Sequence, residues 1–326
     1  MGDALTRRHI AKLIGWTVAA CGLQVRAKAA NEETTLEIDR LWDRTCPASL
    51  TERTYRVDAT VLLLSMPVLR RSGVGDARVA LRQLHSAPES CMALEFAASS
   101  DPARAHGLDR MGWIREVVIE KHGAPQRAGV LGIMSDSPEQ TADAARTALK
   151  SNAAEQALIA IDSSHSGGGE PRTRSRVMRF RAPRAQWICE QSAANEALPN
   201  LARQSFQASA TEWKDATWPG EGSAPTTFLY ALKRAMEQGG SRRTEYIWNQ
   251  DRYQMRLVRQ ADDEQSRRYS TPVDCVCGEV QNITRSLSAT RFRIWIGRES
   301  SVPMPFRIEF QPRSFLRLTL EAVDHH

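Results

Sequence analysis

Thr290-Arg291-Phe292-Arg293-Ile294-Trp295-Ile296 is the stretch on which the reading of this chain turns. Phe292, Ile294 and Ile296 alternate with Arg291, Arg293 and Trp295, a period of two that sends one row of side chains to each face of a β-strand. The same period returns in Phe306, Ile308 and Phe310 against Arg307 and Glu309, and in Leu316, Leu318 and Leu320 against Arg317 and Thr319. One face is apolar and the other carries arginines, the pattern of an antiparallel sheet with one solvated side. Just upstream, Arg243 to Trp248 and Tyr253 to Val258 flank Asn249-Gln250-Asp251-Arg252 and read as a hairpin. Cys275 to Asn282 supplies another strand. Thr226 or Thr227 caps a helix that ends at Gly239-Gly240, with Phe228, Leu232, Ala235 and Met236 along one stripe. That stripe fits the buried side of the meander.

Working back toward the N-terminus, Tyr55 to Leu64 alternates and then turns fully apolar at Val61-Leu62-Leu63-Leu64, a run too short for anything but a buried strand. Arg71-Ser72-Gly73-Val74-Gly75-Asp76 reads as a turn, and its Gly-Val-Gly lacks the third glycine of a dinucleotide fingerprint. Cys91 to Ala97, Trp113 to Glu120 and Ala128 to Met134 read as strands. Ser137, Pro138 and Gln140 open a helix running to about Ala153, with Ala142, Ala145 and Leu149 on its packed face. Gln156 to Ile161 and Arg174 to Phe180 flank Ser163 to Pro171, a glycine-rich stretch that reads as a flexible loop between paired strands. A helical stretch follows around Ala185 to Phe206, and Thr35 to Trp42 reads as a short amphipathic helix. The expected fold class is α+β, a meander sheet packed by a few amphipathic helices in one or two such subdomains. Trp218 to Pro225 breaks the periodicity and separates an N-terminal α+β region, 30–217, from a C-terminal helix and β-meander, 226–326.

Arg293-Ile294-Trp295-Ile296, a turn-rich stretch, and Pro303-Met304-Pro305-Phe306-Arg307-Ile308-Glu309-Phe310 together resemble strands of the LolA-like half-barrels, with Gly297 where that family often has an acidic residue. Those are periplasmic proteins that cradle lipid in a curved antiparallel sheet under a helical lid. The resemblance implies a cavity between the apolar strand faces and an acyl chain as ligand.

The first residues read as an address. Thr6-Arg7-Arg8-His9-Ile10-Ala11-Lys12 resembles the twin-arginine export consensus, with Ile10 and Ala11 where Phe and Leu are usual. An uncharged stretch from Leu13 to Val25 and the small residues Ala27 and Ala29 complete a signal peptide over residues 1–29. About thirteen apolar residues are too few to span a bilayer, which needs roughly twenty, so no transmembrane span is expected. Val18-Ala19-Ala20-Cys21 resembles a lipobox, and lipidation at Cys21 would tether the product as an envelope lipoprotein. The expected destination is the periplasm or the outside, reached through the Tat machinery.

Charge and cysteines narrow the function. The chain has 44 basic and 38 acidic residues; setting aside Arg7, Arg8, Lys12, Arg26, Lys28 and Asp3 leaves 39 against 37. A polyanion binder keeps a strong basic excess, so nucleic acid is not an expected partner. Five cysteines outlast cleavage, Cys46, Cys91, Cys189, Cys275 and Cys277. Cys275-Val276-Cys277 lacks the second ligand pair of a structural zinc site and reads as two thiols on one face of a strand. Asp58, His85, His106, His122 and His165 are the side chains that an exported hydrolase would have to bring together. His165-Ser166 lies outside any nucleophile elbow. No motif calls for a cofactor. The leading expectation is a non-catalytic exported protein that binds a hydrophobic small molecule or an envelope protein through its curved sheet; the alternatives are an exported hydrolase and a lipid-anchored structural lipoprotein.

Overall fold

Two-residue alternation runs through most strands of the computed structural model, and it explains why one sheet dominates. The structure describes residues 49–63, 66–86, 89–101, 104–105, 110–136, 155–183, 191–207, 211–218, 222–237, 243–248, 251–260, 269, 272–285, 289–297, 304–313 and 316–323. The first strands are β1 (Ser49–Leu63), β2 (Met66–Ser86), β3 (Glu89–Ser100), β4 (Met111–Lys121), β5 (Ala124–Ser135), β6 (Glu155–Ser166) and β7 (Arg172–Pro183). Helix α1 (Gln191–Gln207), the short β8 (Lys214–Thr217) and helix α2 (Phe228–Glu237) follow. The chain then forms β9 (Arg243–Trp248), β10 (Asp251–Gln260), β11 (Val273–Asn282), β12 (Thr290–Gly297), β13 (Pro305–Arg313) and β14 (Leu316–Ala322).

All fourteen strands belong to one antiparallel sheet in the order β8-β7-β6-β5-β4-β3-β2-β1-β14-β13-β12-β11-β10-β9. The first and last strands pair with each other, Val57 opposite Leu320 and Ala59 opposite Leu318. The sheet's two edges are therefore β8 and β9, and the chain passes from one to the other through α2. This overturns the α+β expectation of a meander packed by several helices in one or two subdomains. A sheet this long rolls until its own halves cover each other. It needs few helices to bury its apolar face.

The inner face shows the rolling directly. Val130 and Met134 of β5, Ile159 and Ile161 of β6, Tyr246 and Trp248 of β9, Met255 and Leu257 of β10 and Ile294 and Ile296 of β12 share one buried cluster with Ala231, Ala235 and Met236 of α2. The next residues along β4–β6, Trp113, Leu131, Ile133, Leu158 and Ala160, point outward and are covered by Leu198, Ala202 and Phe206 of α1. Strands buried on both faces lose the simple alternation, as expected. Phe292 lies flat over Gly278 of the neighbouring strand, where a Cβ would come within 2.0 Å of its ring. The apolar faces of these strands thus pack against α2 and the opposite wall.

Three local readings are corrected by tertiary pairing. Arg71 to Asp76 is no turn; it lies within β2 as a bulge, between the pairs Ala59–Arg71 and Val57–Gly75. Ser163 to Ser166 belongs to β6, in register with Arg172 to Ser175, so only residues 167–171 form the connection. In Val61-Leu62-Leu63, Leu62 is buried, but Val61 and Leu63 are exposed. The helices read at Thr35–Trp42 and Pro138–Ala153, with the signal-peptide residues, lie outside the described residues.

Helix α2 is held at its start by a carboxylate from across the sheet. Glu116 on the inner face of β4 is fully buried and accepts hydrogen bonds from the Thr227 backbone N–H at 2.5 Å, the Thr227 hydroxyl at 2.5 Å and the Tyr230 N–H at 3.0 Å. The positive end of the helix macrodipole faces the same group. Tyr230 also donates its hydroxyl to Glu120 on the same strand. The segment leading in is stitched down by Gly168 and Gly222, which bond each other, and by Ala224 N–H to Pro125 O. Edge strand β9 is capped by Ile247 N–H donating to Thr226 O at 2.9 Å, which shields an edge that would otherwise offer free donors.

Burial outweighs these donors and pushes the Glu116 carboxyl up from 4.5 to about 7. A carboxyl whose folded pKa lies above its unfolded value stabilises the fold fully below the unfolded value and loses that contribution as pH rises through the folded one. Buried His165 runs the other way, held down to about 4. The difference between wild type and a Glu116→Gln variant isolates the carboxyl. In urea unfolding from pH 4.5 to 8, the wild type's stability relative to Glu116→Gln should fall by roughly 3 kcal/mol; a difference that stays constant with pH would show that the carboxyl does not titrate in this range.

Candidate functional site

On the outer face of the C-terminal strands, the arginines of the opening stretch line a groove. Strict alternation and the observed register place Val258, Cys277, Arg293 and Glu309 in one row across β10–β13, and Arg256, Glu279, Arg291 and Gln311 in the next. A groove of about 460 Å³ lies over these rows and reaches Arg317 of β14. Its volume falls in the range of small-molecule sites, roughly 300–1,000 Å³. The sheet at Gly278, Phe292 and Phe310 forms its floor.

The electrostatics of the groove follow from which charges are already paired. Glu309 accepts from Arg307 at 2.7 Å, and Arg307 also binds Glu321 at 2.6 Å while lying over the Trp295 ring at 5.4 Å. Tyr269 donates its hydroxyl to Glu321 at 3.0 Å. Burial works against the Arg307 charge, but its hydrogen bond to Glu309 and the two carboxylates more than offset it and raise its pKa, so Glu309 is neutralised from beneath. Arg291 approaches Glu279 only at 3.9 Å. Arg256, Arg293 and Arg317 make no ion pair with any described residue. The groove therefore offers three uncommitted guanidiniums together with the apolar side chain of Val258 at its β10 end, which is 42 % exposed. Guanidiniums bind carboxylate and phosphate oxygens with paired N–H donors, and the bare apolar surface between them suits a hydrocarbon portion.

Among residues singled out from sequence, the structure separates the candidate catalytic groups. Asp58 is buried on the outer face of β1, where it accepts from Gly73 N–H at 2.8 Å, Arg70 at 2.9 Å and Arg56 at 3.3 Å. Burial opposes its charge, yet these donors and the two arginines hold its carboxyl below the ordinary value. It serves as an anchor for the β2 bulge. His165 lies five strands away on the inner face of β6, buried, with neither ring nitrogen bonded to a described residue. Burial keeps it neutral. Ser166, the next residue, points to the other face, so the adjacent pair does not meet. His122 is exposed in the β4–β5 turn at a φ of 53°. The side chain of His85 and all of His106 lie outside the described residues, as do Arg7, Arg8, Cys21, Ala27 and Ala29. Cys275 and Cys277 share the outer face of β11, Cys275 packed by Trp295 and Cys277 lining the groove.

The arginines were visible in the sequence as the polar half of the alternation. Their convergence was not, because it depends on pairing between strands up to sixty residues apart. Glu116 gave a fainter signal, a carboxylate inside the apolar run Trp113 to Ile119.

No family model matches the chain, and no curated protein matches it. Among solved structures, the crystal structure of a β-barrel-like protein of the domain of unknown function DUF1849 from Brucella abortus is similar over 84 % of this chain and 95 % of that one, at 10 % sequence identity and a TM-score of 0.40.

Proposed function

We propose that this is an exported, non-catalytic binding protein of a bacterial cell envelope, which holds an anionic ligand with an apolar portion in the groove over β10–β14. The observation that carries the reading is the set of uncommitted guanidiniums of Arg256, Arg293 and Arg317 lining one groove with exposed Val258. The ligand class expected from the sequence, a hydrophobic molecule, is thereby narrowed to one with a negative head, and its seat moves from the inner face to the outer one. A fatty acid has both parts. Dodecanoate titrated calorimetrically into the folded protein should bind, and dodecyltrimethylammonium, with the same tail and the opposite charge, should not. Arg293→Gln with Arg317→Gln should weaken dodecanoate binding by about tenfold or more, the scale of lost hydrogen bonds to a charged group. Equal binding of the two amphiphiles, or none of either, would refute the assignment.

Export rests on Arg7-Arg8, the weakly apolar stretch after them and Ala27-Lys28-Ala29. Protein recovered from its native host should have an intact mass beginning at Ala30, and Arg7→Lys with Arg8→Lys should leave the full-length chain in the cytoplasm. A mass that begins at a diacylated Cys21 would replace release with anchoring; a mass beginning at the initiator region in the wild type would remove the export reading.

A further inference from the structure

Toward its far end the β1–β2 hairpin carries exposed apolar side chains. Val61 is 38 % exposed, Leu63 61 %, Met66 64 %, Val68 57 % and Leu69 48 %. These are five of the seven large apolar side chains exposed among the described residues. Single exposed hydrophobics need no explanation, but a contiguous set of this kind marks a contact surface. The strand ladder is maintained through it, with Val61 opposite Leu69, Leu62 opposite Pro67 and Leu63 opposite Met66.

Charge identifies what the surface meets. From Ala59 to Gly75 the sequence contains no acidic residue, and the apolar end is followed at once by Arg70 and Arg71. Arg70 and Arg317 stand opposite Thr60 on either side of β1, and Arg71 stands opposite Ala59. Asp58 answers Arg70 and Arg56 from beneath the surface; Arg71 and Arg317 make no ion pair with any described residue. An apolar tip with a cationic collar one to two residues behind it matches the layering of a bilayer surface, acyl chains beneath anionic headgroups.

We propose that the exposed side chains Val61 and Leu63 of β1 and Met66, Val68 and Leu69 of β2 dock into the surface of an anionic lipid bilayer, with Arg70, Arg71 and Arg317 meeting the headgroup phosphates. The apolar side chains with Arg70 and Arg71 carry this whatever occupies the groove and however the chain is exported; Arg317 is shared with the groove. The test is cosedimentation of the folded protein with unilamellar vesicles of phosphatidylcholine containing phosphatidylglycerol, and with vesicles of phosphatidylcholine alone. Wild type should bind the anionic vesicles, more weakly as salt is raised, and the neutral ones less. Leu63→Asp with Val68→Asp changes only exposed positions and should lower binding by roughly tenfold or more, since it removes two buried apolar side chains and adds two charges. Arg71→Gln should lower it by roughly fivefold and flatten the salt dependence. Melting followed by circular dichroism checks that each variant folds. Undiminished binding by the double aspartate variant, or binding indifferent to phosphatidylglycerol, would overturn the proposal. So would a wild type that ignores vesicles and instead forms a dimer in sedimentation velocity that the same substitutions dissociate.

Discussion

The buried carboxylate of Glu116 at the start of α2 is the contact around which the interior is organised. A helix of ten residues is marginal on its own, and α2 must sit between the two halves of a rolled sheet. Thr227 and Tyr230 present three donors to Glu116, so the helix's otherwise unsatisfied N–H groups find an acceptor and offset part of the penalty of burying the acid. Once α2 is seated, Ala231, Ala235 and Met236 complete a cluster that joins β5–β6 to β9–β12. Without that bridge, β5–β6 and β9–β12 would lose part of the core they share.

Filling the interior determines where recognition can occur. In an open half-barrel the apolar strand faces would hold a ligand; here they hold a helix and each other. Among the described residues, a groove opens on the outer face instead. On the outer face, the ladder turns an alternating sequence into rows of charge. Arg307 is drawn into a clamp between Glu309 and Glu321, which leaves the neighbouring arginines with fewer acids than they would need for pairing. A structural ion cluster thus sets the sign of the groove beside it.

How much of this was legible depends on the range over which each signal acts. The period of two in Phe292–Ile296 and Leu316–Leu320 is enforced within a strand, so β12 and β14 were readable, as was the Thr227 cap, whose hydroxyl accepts from Leu229 N–H two residues on. The pairing of β1 with β14 joins residues more than two hundred and fifty apart, and no local pattern encodes it. The α+β expectation failed for that reason: helix caps and stripes are local, whereas the closure that makes most helices unnecessary is not. Polar Ser163, Ser164 and Ser166 next to glycines read as a loop, yet strand pairing on both sides satisfies their backbones and overrides composition. Conversely, Leu63 is apolar and reads as buried, yet it is exposed at the end of β1.

The two surface features are also physically connected. Thr60 pairs with Arg317 on one side and Arg70 on the other, so these arginines lie about 10 Å apart by strand spacing. Arg317 belongs to the groove and Arg70 to the collar of the apolar hairpin. At physiological salt this separation is comparable to the screening length, so the groove and the collar share one positive field. The nearest acid, Asp58, is buried and already accepts from Gly73, Arg70 and Arg56. It fixes the bulge that directs β2 without cancelling the charge displayed above it. An anion approaching either feature is therefore drawn to a surface continuous with the other.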